Sequence, residues 1–219
     1  MTSVNDNKTS KRIVVGVTGA SGAMYAQRLI QCLVDAGTEV HLAITPYGRR
    51  LFHDELDYSE VNAQTLLGRD NSQLIIHPHQ DVGSSIASGS MHTDGMIICP
   101  CSSNTLGSIA AGLGGNVLTR AAQVTLKERR RLVLVTREMP MGHLDLENAL
   151  RLSHAGAVIC PASPGFYMLP KTLDDVVDFV VGKLLDLVGV PHSLNTRWTD
   201  MLKTQADDSS QSASSKDAS

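Results

Sequence analysis

Five short apolar runs, each leading straight into a polar segment, set the rhythm of this chain: Arg12–Val17, Glu39–Ile44, Gly95–Cys99, Leu132–Val135 and Ala157–Cys160. Near-continuous Val, Ile and Leu is the pattern of strands buried on both faces of a parallel sheet. Between the runs the spacing changes to that of helices. One opens at Ser21, keeps Met24, Leu29, Ile30, Leu33 and Val34 on its apolar side, and is closed by Gly37. Others are predicted over about Gly48–Asp54 after Pro46, across most of 103–128, and over Leu146–His154. The last, over Leu173–Val188, has Thr172 as its cap, Asp174 and Asp175 in its first turn, and Gly189 at its end. Leu74–His77 is a candidate short strand in the less regular region 57–94, and Gly83–Ser90 reads as a loop or helix start rich in backbone donors. Strands alternating with helices, with no internal repeat, predict a single α/β domain over residues 11–200: a Rossmann-like (flavodoxin-like) open parallel sheet flanked by helices. The polar, aperiodic ends, 1–10 and 201–219, are expected to be disordered.

In such a sheet the segments that follow the strands lie along one edge, where ligands bind at the switch in strand order. Those segments are Thr18-Gly-Ala-Ser-Gly22, Thr45-Pro46, Pro100-Cys-Ser-Ser-Asn-Thr105, Thr136-Arg-Glu-Met-Pro140 and Pro161-Ala-Ser-Pro-Gly-Phe-Tyr167. They hold nearly every residue that could do chemistry, which predicts one site.

Composition narrows the classes. A chain of 219 residues with 42% hydrophobic and 19% charged positions can bury a full core. Its net charge of −3 gives no electrostatic footprint for nucleic acid or an anionic membrane. Cys32, Cys99, Cys101 and Cys160 fall in or beside apolar segments, and the N-terminus lacks the apolar core of a signal peptide, so a reducing cytoplasm is expected. Cys99-Pro-Cys101 has the spacing of neither a redox pair nor a zinc knuckle; structural thiols and no metal site are expected.

Each polar segment has a plain reading beside a chemical one. Gly16-Val-Thr-Gly-Ala-Ser-Gly22 could present helix amides to a phosphate, or be only a tight turn with a serine cap. The second strand ends in Ala43-Ile-Thr-Pro46 without the acidic residue a nicotinamide ribose needs. Tyr167–Lys171 has the Tyr-x-x-x-Lys spacing of short-chain dehydrogenases, but Pro170 inside it excludes an interior helical position. Cys101-Ser-Ser-Asn-Thr105 offers more hydroxyls and amides than capping alone requires. Arg120 and Lys127, seven residues apart, project to one side of a helix, as a phosphate clamp or as part of a solvated basic face with Arg129–Arg131. Arg137 and Glu138 follow an apolar strand at the ligand edge, where charge is rarely needed for packing; the arginine can fork onto a phosphate or ring oxygen and the glutamate can move a proton. Tyr167 ends a stiff turn, as packed aromatic or substrate gate. His143 and His154 flank a helix and read as structural.

At these residues the chain resembles the flavin prenyltransferases of the UbiX/Pad1 type, within the group of homo-oligomeric flavin-containing Cys decarboxylase-like folds. The resemblance runs from Lys11 to Trp198 through seven blocks in order, among them Val17-Thr-Gly-Ala-Ser-Gly-Ala-Met-Tyr25, Ala87-Ser-Gly-Ser90, Leu126-Lys-Glu-Arg-Arg130 and Thr136-Arg-Glu-Met-Pro140. It implies an enzyme that joins a dimethylallyl group from dimethylallyl monophosphate to N5 and C6 of reduced FMN. The product, prenylated FMN, would serve UbiD-type decarboxylases, in ubiquinone biosynthesis or aromatic acid breakdown. It further implies that Gly19, Ala20, Ser21, Thr45, Ser102, Ser103, Asn104, Thr105 and Arg137 hold FMN. Ala87, Ser88, Gly89, Ser90, Arg120, Lys127, Tyr167 and Lys183 would surround the prenyl phosphate. Glu138 would transfer protons, with Glu55 as a second acid and Ser21, Lys127 and Arg120 contributing to catalysis. Homo-oligomers, often dodecamers with sites completed between subunits, are expected.

Three positions depart from the family pattern. Lys183 stands where Arg is usual and cannot reproduce its bidentate fork, Pro46 replaces a Lys or small residue, and Gln123 an Asp. Two other functions share the fold: an FMN-dependent decarboxylase of a cysteine-containing substrate, for which His53 is the one nearby histidine, and a non-catalytic flavin carrier. The cations and Glu138 exceed what storage requires.

Overall fold

The computed structural model describes residues 10–194, so the tails expected at 1–10 and 201–219 lie, apart from Ser10, outside the described residues. Six parallel strands form one sheet: β1 (Arg12–Val17), β2 (Glu39–Ile44), β3 (Leu74–His77), β4 (Gly95–Cys101), β5 (Leu132–Thr136) and β6 (Val158–Ile159), in the order β3-β2-β1-β4-β5-β6. Leu74–His77 is thus a strand at the edge, and it reconciles the two expected labels. The five longer-range runs alone would give the flavodoxin order; with β3 added the order is that of the Rossmann fold.

Alternation along the strands divides the core. Ile13, Val15 and Val17 of β1, with Leu42, Ile44, Ile97 and Val133, face α1 (Ala23–Asp35) and α7 (Leu173–Leu187); Val14, Ala43, Met96, Ile98 and Leu134 face α4 (Ser103–Ala110) and α5 (Val117–Lys127). Both layers are made of buried side chains, and α1 is further tied to α7 by the forked pair Arg28 Nε and Nη2 to Asp178, at 2.6 and 3.0 Å. The helix α2 (Pro46–Leu56) starts with Thr45 as cap, and α6 (His143–His154) packs on α4.

Several boundaries differ from expectation for local reasons. Stretch 103–128 is two helices, because Gly112, Gly114 and Gly115 interrupt it and Asn116 caps the second by accepting from the Thr119 amide. A five-residue helix, α3 (Ala63–Leu67), arises from a reciprocal Asn62–Thr65 capping box in a segment without apolar period. The first helix begins at Ala23, α6 begins three residues earlier than read, and β4 continues through Pro100 to Cys101. His143 and His154 are exposed on α6, not packed. Residues 161–172 are non-helical, as Pro170 requires.

The entry of α2 fixes the edge where the site forms. A Cβ on Gly48 would lie 2.6 Å from the Val17 carbonyl oxygen and 3.0 Å from Ile44 Cγ2. That carbonyl also accepts from the Thr45 amide at 3.0 Å, so it cannot swing away. Gly48→Ala is expected to cost about 2 kcal/mol by overpacking, read as a lowered denaturant midpoint; a midpoint equal to that of the parent would contradict this packing.

Candidate active site

The strand order reverses between β1 and β4, and Thr18 stitches the two strand ends together. Its buried hydroxyl donates to the Pro100 carbonyl at 2.8 Å and accepts from the Ser102 amide at 2.8 Å. Beside this stitch opens a cavity of about 460 Å³ lined by Gly19, Thr45, Pro46, Tyr47, His79, Ser102, Asn104, Thr105, Ser108, Asn116 and Thr119. Gly19 is required here: a Cβ would sit 2.5 Å from Tyr47 Cβ, so the backbone of the first loop packs against the base of that side chain.

Five residues expected to hold flavin therefore share one wall: Gly19, Thr45, Ser102, Asn104 and Thr105. Two of their hydroxyls are engaged in capping. Thr45 Oγ1 accepts from Gly48 N at 3.0 Å, and Ser102 caps α4 while donating to Thr105 Oγ1 at 3.1 Å. Asn104 is exposed on the first turn of α4, and its carboxamide has no protein hydrogen-bond partner among the described residues. Ala20 is buried behind the loop, Ser21 is exposed beside it, and the Ser103 hydroxyl donates to Asp145 of α6.

The amides at the start of α1 are not open to a phosphate as the glycine motif suggests. Glu55 of α2 reaches across and accepts from Gly22 N at 3.1 Å and Ala23 N at 2.8 Å. A carboxylate there complements the positive end of the helix and satisfies amides left over by helix geometry. Glu55 thus stands next to Ser21.

Arg137 and Glu138 are exposed just past β5, and Tyr167 lies in the loop after β6 with its ring edge-on to Phe179 at 5.6 Å. Lys183 is exposed on α7, where its charge partly offsets the burial that raises the Cys160 thiol. All four cysteines are free. Burial pushes the Cys101 thiol up to about 12 and Cys99 higher still, so neither is a thiolate nucleophile at neutral pH.

Lys127 and Ala87–Ser90 lie at the opposite edge of the sheet. Asn116 and Thr119 begin α5 at the cavity, but Lys127 ends it 11 residues on, about 16 Å along the axis. Ala87–Ser90 lies at that far end as well. Arg130 holds the Gly89 and Met91 carbonyls at 3.0 and 2.6 Å, Glu128 packs on Gly89, and Arg12, the first residue of β1, holds the His92 carbonyl at 3.0 Å. Arg120 is exposed one turn into α5, beside Gly114. Within one chain the flavin and phosphate residues do not converge.

Sequence reasoning missed Tyr47, His79, Ser108, Asn116 and Thr119 in the cavity wall. Asn116 was legible, since an Asn after two glycines and before an apolar helix is a capping signal. The signal for His79 was weaker, its place just past the candidate strand Leu74–His77; its Nδ1 is buried without a hydrogen-bond partner among the described residues, and burial, then Arg49, hold the ring below the usual histidine range. The orphaned nitrogen on the wall of a largely apolar cavity fits a heterocyclic ligand. His53 instead faces Asp54 at 3.1 Å around a separate hollow, which leaves the cysteine decarboxylase reading without its histidine. Among the described residues no group of three or more His, Cys, Asp or Glu is placed to hold a metal ion, and no helix is long and apolar enough to cross a membrane.

Comparison with known proteins agrees with this fold. A family model described as Flavoprotein matches residues 1–185. The flavin prenyltransferase UbiX of Halalkalibacterium halodurans is 50% identical over 188 residues, spanning 84% of this chain and 91% of that protein. The crystal structure of AnUbiX (PadA1) with FMN and dimethylallyl pyrophosphate has a TM-score of 0.80 at 38% identity, covering 86% of this chain and 97% of that one. A dodecameric FMN-dependent UbiX-like decarboxylase from Escherichia coli O157:H7 has a TM-score of 0.79 at 40% identity, covering 85% and 98%. With a Rossmann-order sheet, a cavity at its switch point and relatives of this closeness over nearly their full length, the chain belongs to the UbiX flavin prenyltransferases of the flavoprotein family.

Proposed function

We propose that the protein is a metal-independent flavin prenyltransferase that joins the dimethylallyl group of dimethylallyl monophosphate to N5 and C6 of reduced FMN, making prenylated FMN for UbiD-type decarboxylases. The observation that carries this is the apolar cavity at the strand switch, walled by five of the residues the family resemblance assigns to flavin. Bound reduced flavin supplies the nucleophilic ring atoms, and the prenyl donor supplies an allylic carbon with phosphate as leaving group.

The residues divide the remaining work. Gly19, Ala20, Ser21, Thr45, Ser102, Ser103, Asn104, Thr105 and Arg137 hold and orient FMN. Arg120, Lys127 and Lys183, with Ala87–Ser90, take up the negative charge that develops on the departing phosphate, which lowers the barrier without a metal. Tyr167 and the flavin face shelter the positive prenyl fragment. Glu138 moves the proton at N5 and C6, and Glu55, with Ser21, provides a second acidic position.

Because Lys127 and Ala87–Ser90 lie at one edge of the chain and Glu138 at the other, a complete site draws on more than one copy. An exposed apolar surface supports this: Leu144, Leu146 and Leu150 of α6 with Met139, Phe166 and Leu169 are each more than half exposed, which is unusual for a lone globular chain. We infer a homo-oligomer, a dodecamer by its relatives, in a reducing cytoplasm that suits four free thiols.

Anaerobic incubation with reduced FMN and either dimethylallyl monophosphate or the pyrophosphate, followed by mass analysis of extracted flavin, tests the proposal. The expected result is a gain of one prenyl unit, about 68 Da, with the monophosphate. Unmodified FMN from folded, flavin-loaded protein with both donors would refute it.

A further inference from the structure

A row of hydrogen bonds crosses the buried edge of the sheet and ends in the loop before Ala87. His41 of β2 and His77 of β3 are 4% and 8% exposed, and His41 Nδ1 lies 2.8 Å from His77 Nε2. At one end His41 Nε2 meets Glu39 Oε1 at 2.8 Å; at the other, Ser84 Oγ meets His77 Nδ1 at 2.6 Å. Arg12 Nε pairs with the same glutamate oxygen at 2.5 Å.

The chemistry of these atoms fixes the proton on each. An ionised Glu39 only accepts, so His41 Nε2 carries a hydrogen and, in the neutral ring, Nδ1 accepts. His77 must then donate from Nε2, which leaves its Nδ1 to accept from the Ser84 hydroxyl. Every ring nitrogen of the pair is satisfied, as burial demands. Burial also holds His77 below the usual histidine range; protonation of His41 would lower it further, and Asp81 opposes this.

The row stops at a residue with a special place. Ser84 opens the 3-10 turn Ser85–Ala87, accepting from the Ala87 amide at 2.9 Å, yet its side chain caps nothing because its hydroxyl is held by His77. Beyond the turn, Arg130 holds the Gly89 and Met91 carbonyls. Two anchors therefore bracket Ala87–Ser90, and between them the Ser88 and Ser90 hydroxyls stand 2.8 Å apart at the exposed surface.

We propose that Glu39, His41, His77 and Ser84 form a positioning network for the prenyl donor: by pinning Ser84 they set Ala87–Ser90 in the geometry that receives the donor's phosphate. The inference rests on the reading of Ala87–Ser90 as the phosphate segment. The network touches neither flavin nor the reacting carbon, so its loss should appear in donor affinity alone.

Steady-state kinetics with saturating reduced FMN and varied dimethylallyl monophosphate test it on Ser84→Ala, Ser84→Thr, His77→Phe and Ser90→Ala. Ser84→Ala and His77→Phe are expected to raise KM for the donor about tenfold, the loss of one buried hydrogen bond, with kcat within about twofold. FMN affinity should not move, and Ser84→Thr should restore most of KM. Ser84→Ala removes a single oxygen, so it decides the matter if His77→Phe fails to fold. A parental KM in folded Ser84→Ala, with KM raised in Ser90→Ala, overturns the network alone. An unmoved KM in both overturns the phosphate reading and the network with it, and a fall in kcat at constant KM also overturns the positioning role.

Discussion

Glu138→Gln is expected to lower kcat about a thousandfold while leaving FMN bound, the range lost when a positioned acid–base group is removed. Glutamine keeps the size and hydrogen-bonding reach of the side chain but cannot exchange a proton. Glu138 stands exposed immediately past β5, and no hydrogen bond or ion pair holds it among the described residues. The substitution should therefore change stability by less than about 0.5 kcal/mol, as is usual at exposed positions. Flavin titration separates binding from chemistry, since Arg137 and the cavity wall remain intact. A variant as active as the parent would remove Glu138 from the proton path and shift the role to Glu55, whose carboxylate is already committed to the α1 amides.

The strands were legible because burial on both faces leaves Val, Ile and Leu little competition, so Arg12–Val17 and Glu39–Ile44 appear with the boundaries read from sequence. The break at 111–116 was less so, since a helical period continues on either side of the glycines and only Asn116 marks a new start. The flavin wall followed from a general rule of open sheets: residues after strands meet at the switch point. His79 and Tyr47 obey that rule too, two residues past β3 and three past β2, but β3 was only a candidate strand and the segment after β2 was read no further than Pro46. The opposite limit shows at Arg120 and Lys127. Helical spacing puts them on one side, but period says nothing of how far along the sheet each lies. The resemblance put Ala87–Ser90 around the prenyl phosphate without saying where on the sheet it lies, and the Arg12 and Arg130 contacts tie it to the edge opposite the cavity. The Glu55 carboxylate at the start of α1 was likewise invisible, as nothing in a glycine motif says which anion will occupy its amides.

Mixing two nearly inactive variants, Lys127→Ala and Glu138→Gln, is expected to restore about a quarter of parental activity in oligomers reassembled at equal ratio. Lys127 precedes the start of β5 and Glu138 follows its end, with five strand residues between, a span of about 16 Å. A five-carbon monophosphate is shorter than that, so one donor cannot touch both residues of a single chain. If each site takes Lys127 from one copy and Glu138 from another, random assembly leaves both intact in one site of four, half times half. Alone, each variant lacks its residue in every site, and Lys127→Ala should retain on the order of a hundredth of the parental rate for want of one fixed cation at the leaving oxygen. Reassembly is checked by native mass of differently tagged copies, and activity is read as prenylated FMN formed. A mixture no more active than the mean of its two parents, with exchange of copies verified, would place both residues in the same chain's site and require α5 to move against the sheet.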